Sequence, residues 1–232
     1  MLSVIRTRKY DYKLYVPVGT LVKMSTEKPA RRRGRLPAAE REQRRVAVLE
    51  ATEEALLEDG YDGVTMLAIA KRAGASKETL YSWFGSREGL FAALIEHNAD
   101  GSAAAIDAAL GTGESVRETL MRFSAGLLTL LTSPPSVAMN RAAMQSPELS
   151  ALLLRSGRHR VGPIVERYLA GLHTAGEIDA PDAAVAFELL YGLVVRDTQI
   201  RVLLGEATPT GAAVRRTATA AVDQFLLLVR PD

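Results

Sequence analysis

The chain has 232 residues, 47% hydrophobic and 24% charged, with no cysteine. That composition excludes an intrinsically disordered chain, and the length allows one large domain or two modest ones with a sizeable core. Without cysteine there is no disulfide framework or thiolate chemistry, which fits a reducing cytoplasm.

The net charge of +2 conceals an asymmetry: residues 1–45 hold thirteen Lys/Arg against four Asp/Glu, an excess of +9 that leaves −7 on the remainder. Such a distribution reads either as a polyanion contacted at one end or as a solvated basic tail, and charge alone does not separate the two. Residues 1–36 carry Arg6, Arg8 and Lys9 without the apolar run of a secretory signal. Tyr10, Tyr12, Leu14 and Val16 alternate as a short strand would, with no partner nearby. Met24 and the Ser-Thr-Glu-Lys after it form a second plausible start, so residues 1–23 are expected to be an over-long reading of the gene. Arg31, Arg32, Arg33 and Arg35 make a basic arm of flexible composition. The longest uncharged stretch, Phe123 to Asn140, is interrupted by Pro134-Pro135, so a soluble chain with no membrane span or membrane partner is expected.

From Pro37 onward the signals are helical. Pro37 suits a first helical position, Glu40 and Glu42 fall in the first turn, and Gly60 supplies the stop. Val48, Leu49, Ala55 and Leu56 mark one apolar face. A short helix is predicted from Met66 to Ala73 with Thr65 as its cap. Gly74 permits a sharp turn, a second short helix runs from Ser76 to Phe84, and Gly85-Ser86 starts a long one through Leu110. Further on, Ser133-Pro134, Ser146-Pro147 and Thr208-Pro209 each pair a capping hydroxyl with proline, and Asp179 to Asp182 opens another helix. Helices are expected near 114–132, 135–145, 147–175 with Gly157 as a candidate break, 182–204 and 209–229. No strand pattern or internal repeat appears, so the predicted class is all-α, with about nine helices.

Residues 65–87 place two short helices around a tight glycine turn, the geometry of a helix-turn-helix. Ile69, Ala70 and Ala73 are expected to face Leu80 and Phe84. That arrangement leaves Ser76, Lys77, Glu78, Thr79, Tyr81, Ser82 and Trp83 largely outside the core, as a helix laid in a DNA major groove requires. Taken alone, the helix pair fits plain packing at least as well, with Lys77 a solvated side chain.

The residues Gly60-Tyr61-Asp62, Ile69 to Ser76, Leu80 to Phe84 and Ser86 to Leu90 resemble the N-terminal domain of TetR-family regulators, in order and spacing, across about residues 40–100. Less sharply, Ser133-Pro134, Ser146 to Leu149, Ala175 to Ile178 and Leu203-Leu204-Gly205 resemble the C-terminal domain of the AefR-like branch. The resemblance implies a flexible basic arm at 1–36, a three-helix helix-turn-helix DNA-binding domain at 37–98, and a helical effector-binding and dimerisation domain at 99–232. It implies phosphate contacts from Thr65, Tyr81 and Arg87, base reading by Ser76, Lys77, Glu78 and Thr79, and Trp83 against the DNA backbone. The basic arm would reach the neighbouring minor groove. Leu67-Ala68 replaces a commonly polar pair, Ala75 the usual Val, and Leu56 a common Phe.

No catalytic constellation accompanies these signals. The histidines are His97, His159 and His173, none in a metal-binding spacing. His173 and Glu177 could share a helix face, more readily as a salt bridge or a helix-end cation than as zinc ligands. No enzyme, cofactor or metal is expected. A helical domain of this size can enclose an apolar pocket, for which Met121, Phe123, Met139, Met144, Tyr168, Phe187 and Tyr191 are candidate liners, with Arg196 or His173 as a polar anchor; ordinary core or dimer packing would explain each of them singly. Leu189, Leu190, Leu193 and Val194, and Ala221, Val222, Phe225 and Leu226, form two late apolar faces that the resemblance assigns to a homodimer of the four-helix type. The resemblance thus implies a cytoplasmic, nucleoid-associated repressor, released from double-stranded operator DNA by a small apolar or amphipathic effector. A sensor that has lost DNA binding and a helical-bundle enzyme are the competing readings, and the residues do not distinguish repressor from activator.

Overall fold

A computed structural model describes residues 37–111 and 115–231. The basic arm at Arg31 to Arg35, the alternating stretch from Tyr10 to Val16 and the start at Met24 lie outside the described residues. Those described are helical, with no strand among them, in eleven segments. In order these are α1 (Ala38–Gly63), α2 (Met66–Arg72), α3 (Lys77–Phe84), α4 (Arg87–Leu110), α5 (Val116–Thr132), α6 (Pro134–Ala143), α7 (Pro147–Ser156), α8 (Arg158–Thr174), α9 (Ala183–Val195), α10 (Thr198–Leu203) and α11 (Gly211–Leu228).

Most starts are written in the residue before the helix. Thr65, Ser76, Ser86, Ser115, Ser133, Ser146, Asp182 and Thr210 each accept a hydrogen bond from a backbone N–H of the first turn, satisfying donors the helix itself leaves orphaned. Ser115 and Glu118 close a capping box at α5. One expected break is found and two boundaries differ. Gly157 does break 147–175, with φ −92° and ψ −96°. The helix expected at 182–204 divides at Arg196, which adopts φ 47° and ends α9; no glycine or proline marks that break. The last helix starts at Gly211 rather than 209, because Thr210 supplies the cap while Thr208 donates to the carbonyl of Thr132 at 3.3 Å.

Two hydrophobic cores organise these helices. The first joins Val48, Leu56, Ile69, Leu80, Phe91 and Leu94 of α1–α4. It also takes in Met139, Ala142 and Ala143 of α6 and Leu149 of α7, so α6 packs directly on α1. The second joins Phe123 and Leu128 of α5, Val165 and Leu169 of α8, Leu190 of α9, and Val222 and Phe225 of α11. The helix α4 serves both: Leu90 to Ile95 belong to the first core, Ile106 and Leu110 to the second.

Candidate nucleic-acid interface and effector cavity

The first three helices and the start of α4 hold α3 rigidly. Leu80 and Phe84 turn inward against Ile69, Ala70 and Leu90. Between α2 and α3, Gly74 takes φ 61°, a left-handed conformation that glycine adopts at little cost, and the Ala75 N–H returns to the carbonyl of Ala70 at 2.9 Å. At the far end, a Cβ on Gly89 would lie 2.0 Å from the carbonyl oxygen of Phe84. Glycine there allows the first turn of α4 to seat against the last turn of α3. An Arg72–Glu58 ion pair at 2.6 Å ties α2 to α1 across the surface.

With Leu80 and Phe84 fixed inside, helical periodicity turns Lys77, Glu78, Tyr81 and Ser82 to solvent, with Thr79 half-buried. Tyr81 is 45% exposed, and Lys77 Nζ stands 5.6 Å from its ring centroid, a cation–π arrangement that holds both at the surface. The Ser76 hydroxyl accepts from the Thr79 N–H at 3.1 Å and lies 3.0 Å from Thr79 Oγ1. The Glu78 carboxylate is held below its usual range by its own backbone N–H and by the Ser76 hydroxyl. Ser76 and Glu78 thus build the start of α3, whereas Lys77, Thr79, Tyr81 and Ser82 present the outward groups. Thr65 likewise caps α2, accepting from the Ala68 N–H at 3.2 Å.

Two residues of this face sit deeper than helical periodicity suggests. Trp83 is half-buried against the first core, with its ring edge-on to Phe84 at 6.3 Å, so it is not the exposed aromatic expected. Arg87 turns inward: its guanidinium lies 4.0 Å from the Tyr61 ring centroid, 5.8 Å from that of Phe91, and donates to the Tyr61 carbonyl. A side chain so engaged joins α4 to the end of α1.

A cavity of about 760 Å³ opens between the two cores. Ile95 and Met139, both buried in the first core, share its wall with Ile106, Phe123, Leu127 and Phe187 of the second. Glu53 of α1 reaches this wall and accepts from Asn98 Nδ2 of α4 at 2.8 Å. Arg158, at the start of α8, lies over the rings of Phe187 and Tyr191. Burial pushes the Tyr191 phenol above its ordinary range, opposed by the nearby Arg158.

A model of bacterial regulatory proteins of the tetR family matches residues 48–94, and one of the AefR-like transcriptional repressor C-terminal domain matches 118–228. A TetR transcriptional regulator structure from Agrobacterium tumefaciens is 32% identical, covers 82% of this chain and 95% of its own, and superposes with a TM-score of 0.67. The chain belongs to the TetR family. Among curated relatives, the transcriptional activator FasR of Mycolicibacterium smegmatis is 37% identical over 90 residues, which is 39% of this chain and 40% of FasR. The transcriptional repressor ComR of Escherichia coli is 27% identical over 161 residues, 66% of this chain and 75% of ComR. These relatives are DNA-binding regulators of transcription, not enzymes. No helix among the described residues is long and apolar enough to cross a membrane.

In this TetR-family chain the cavity gathers Phe123, Met139, Phe187 and Tyr191 of the expected liners. It does not gather the other five. Met121 packs towards α11, where its sulfur meets the Thr219 hydroxyl at 3.7 Å. Met144 ends α6 with 65% of its surface exposed. Tyr168 is half-buried on the second core, its phenol raised by burial against a hydrogen bond with Thr119. His173 Nδ1 accepts from the Ala180 N–H at 3.3 Å, holding the loop after α8. No His173–Glu177 pair forms, because α8 ends at Thr174. Arg196 is exposed at the turn after α9. Arg158, Asn98 and Asn140 are among the polar wall residues that sequence reasoning missed; nothing in their spacing distinguishes a cavity wall from a helix surface.

Proposed function

We propose that this chain is a ligand-responsive, homodimeric transcriptional repressor that reads operator DNA with α3 and releases it when a small apolar or amphipathic effector occupies the cavity. The observation that carries DNA reading is the face of α3. Leu80 and Phe84 anchor it within the first core while Lys77, Glu78, Tyr81 and Ser82 are exposed and Thr79 is half-buried beside them. Residues 37–98 would form the DNA-reading part, residues 99–232 the effector and dimer part, and the arm at Arg31, Arg32, Arg33 and Arg35 would add minor-groove contacts. A cytoplasmic, DNA-associated location goes with that role. Repression is favoured over activation by the C-terminal match to a repressor domain and by the longer alignment with ComR than with FasR.

For the dimer, Val185 of α9 and Leu227 and Leu228 of α11 are exposed, with Leu189 and Leu193 half-buried beside them. Leu190, Val194, Ala221, Val222 and Phe225, expected in the same face, are instead buried in the second core. A two-fold dimer would present two copies of α3 to half-sites about 34–36 Å apart.

Two links connect the cavity to α3. The helix α4 runs from the α3 junction to the cavity wall, and α6 lines the cavity with Met139 and Asn140 while packing on α1. A ligand preferring the non-binding arrangement shifts the population, and operator DNA must weaken that ligand reciprocally. Selection of bound sequences from random duplexes by the purified full chain tests this function. Enrichment of a two-fold-symmetric site is expected. Failure to enrich any sequence would favour a sensor that no longer reads DNA.

A further inference from the structure

The cavity wall holds a cation, Arg158. Arg158 lies with its guanidinium 4.8 Å from the Phe187 ring centroid and 4.5 Å from that of Tyr191, two rings that hold its plane in one orientation. Among the described residues it makes no hydrogen bond, and its one ion pair, with the exposed Glu188, is stretched to 3.9 Å. Its planar fork of N–H donors therefore keeps capacity for an acceptor at the wall. A second guanidinium, Arg122, shares that wall and donates to the Ala109 carbonyl at 2.9 Å. The wall's one carboxylate, Glu53, is engaged by Asn98 at 2.8 Å. Around these groups the wall is mostly apolar, with Ile95, Phe123, Leu127 and Met139 in it.

We propose that the ligand of this cavity is an amphipathic carboxylate, its head paired with Arg158 and its apolar body laid between Met139, Leu127 and Phe187. The inference rests on the reading of the cavity as the effector site. A carboxylate matches the guanidinium fork through two parallel charge-assisted hydrogen bonds. In a partly desolvated wall that attraction is larger than in water. An ammonium head would be repelled by the Arg158 guanidinium, and a hydroxyl head would bond without the charge.

Calorimetric titration of the full chain with decanoate, decanol and decylammonium, each below its micelle concentration, tests the inference. Decanoate is expected to bind on the order of tenfold tighter than either analogue. Arg158→Gln should abolish that advantage and Arg158→Lys should retain most of it, which separates lost charge from a misfolded wall. Gly126→Leu places a side chain where a Cβ meets nothing within 4 Å, in the cavity wall, and should weaken every probe. No binding of decanoate, equal binding of an uncharged or cationic analogue, or an advantage that survives Arg158→Gln would each overturn the inference. If Gly126→Leu weakens all three probes while decanoate has no advantage, only the carboxylate inference fails. Decanoate binding untouched by Gly126→Leu would overturn the effector-cavity reading as well.

Discussion

The two cores are built from the same material and end differently. Around α1–α4, two long and two short helices close on Ile69, Leu80, Leu90 and Phe91 until no surface of these side chains remains. Around α5, α8 and α9 the second core closes as fully on Leu120, Val165, Leu169 and Leu190, but on its cavity side the helices stand apart round about 760 Å³. Close packing in the first region fixes the outward direction of Lys77 and Tyr81; the gap beside the second leaves room for a ligand. One region works through the surface its core orients, the other through the space its core leaves.

The largest expected effect separates those two kinds of packing. Leu80→Ala opens a new void in a closed core and should cost about 4–5 kcal/mol in urea unfolding. Leu127→Ala only enlarges an existing space and should cost nearer about 2–3 kcal/mol. Equal costs would break the contrast. Next, Lys77→Ala should change which base is preferred at one operator position, by roughly 1–3 kcal/mol of discrimination in competition binding. Uniform weakening across all bases would assign Lys77 to the backbone instead. Ser76→Ala removes the α3 cap and should lower stability by about 1 kcal/mol, with operator affinity falling alike for every sequence.

Gly126→Leu should leave stability unchanged or raise it by up to about 1 kcal/mol while abolishing the effector response, read as operator binding insensitive to ligand. The smallest effect concerns the Arg117–Asp223 pair, 2.7 Å apart, which joins α5 to α11. Arg117 holds the Asp223 carboxyl below its ordinary range, first through the hydrogen bond and then through charge. A depressed folded-state pKa means that the contribution is present above the ordinary carboxylate range. It is lost as pH falls through the depressed value. Both groups are exposed, so Asp223→Asn should lower the urea midpoint only slightly at neutral pH and not at all in strong acid.

Legibility in the sequence follows the same division. Hydroxyl caps, Gly74 and the inward spacing of Leu80 and Phe84 are local, and they place α2 and α3 before any tertiary contact is known. The inward turn of Arg87 is not legible locally because its partner, Tyr61, lies on another helix, and the half-burial of Trp83 depends on the assembled first core. The cavity left still less trace. Met139 and Phe187 are hydrophobic whether they fill a core or line a space, and Arg158 looks like any solvated arginine until two aromatic rings meet it. The break at Arg196 carries no glycine or proline, so the helix expected at 182–204 had nothing to divide it.

Coupling between the two regions is the central claim, and fluorescence anisotropy tests it most directly. The full chain would be titrated onto labelled DNA from upstream of its own gene, against random duplex, with and without decanoate. The account predicts tight, sequence-specific binding that weakens with decanoate in the wild-type chain but not in Gly126→Leu. Binding no stronger than to random duplex, or a decanoate effect that persists in Gly126→Leu, would contradict it.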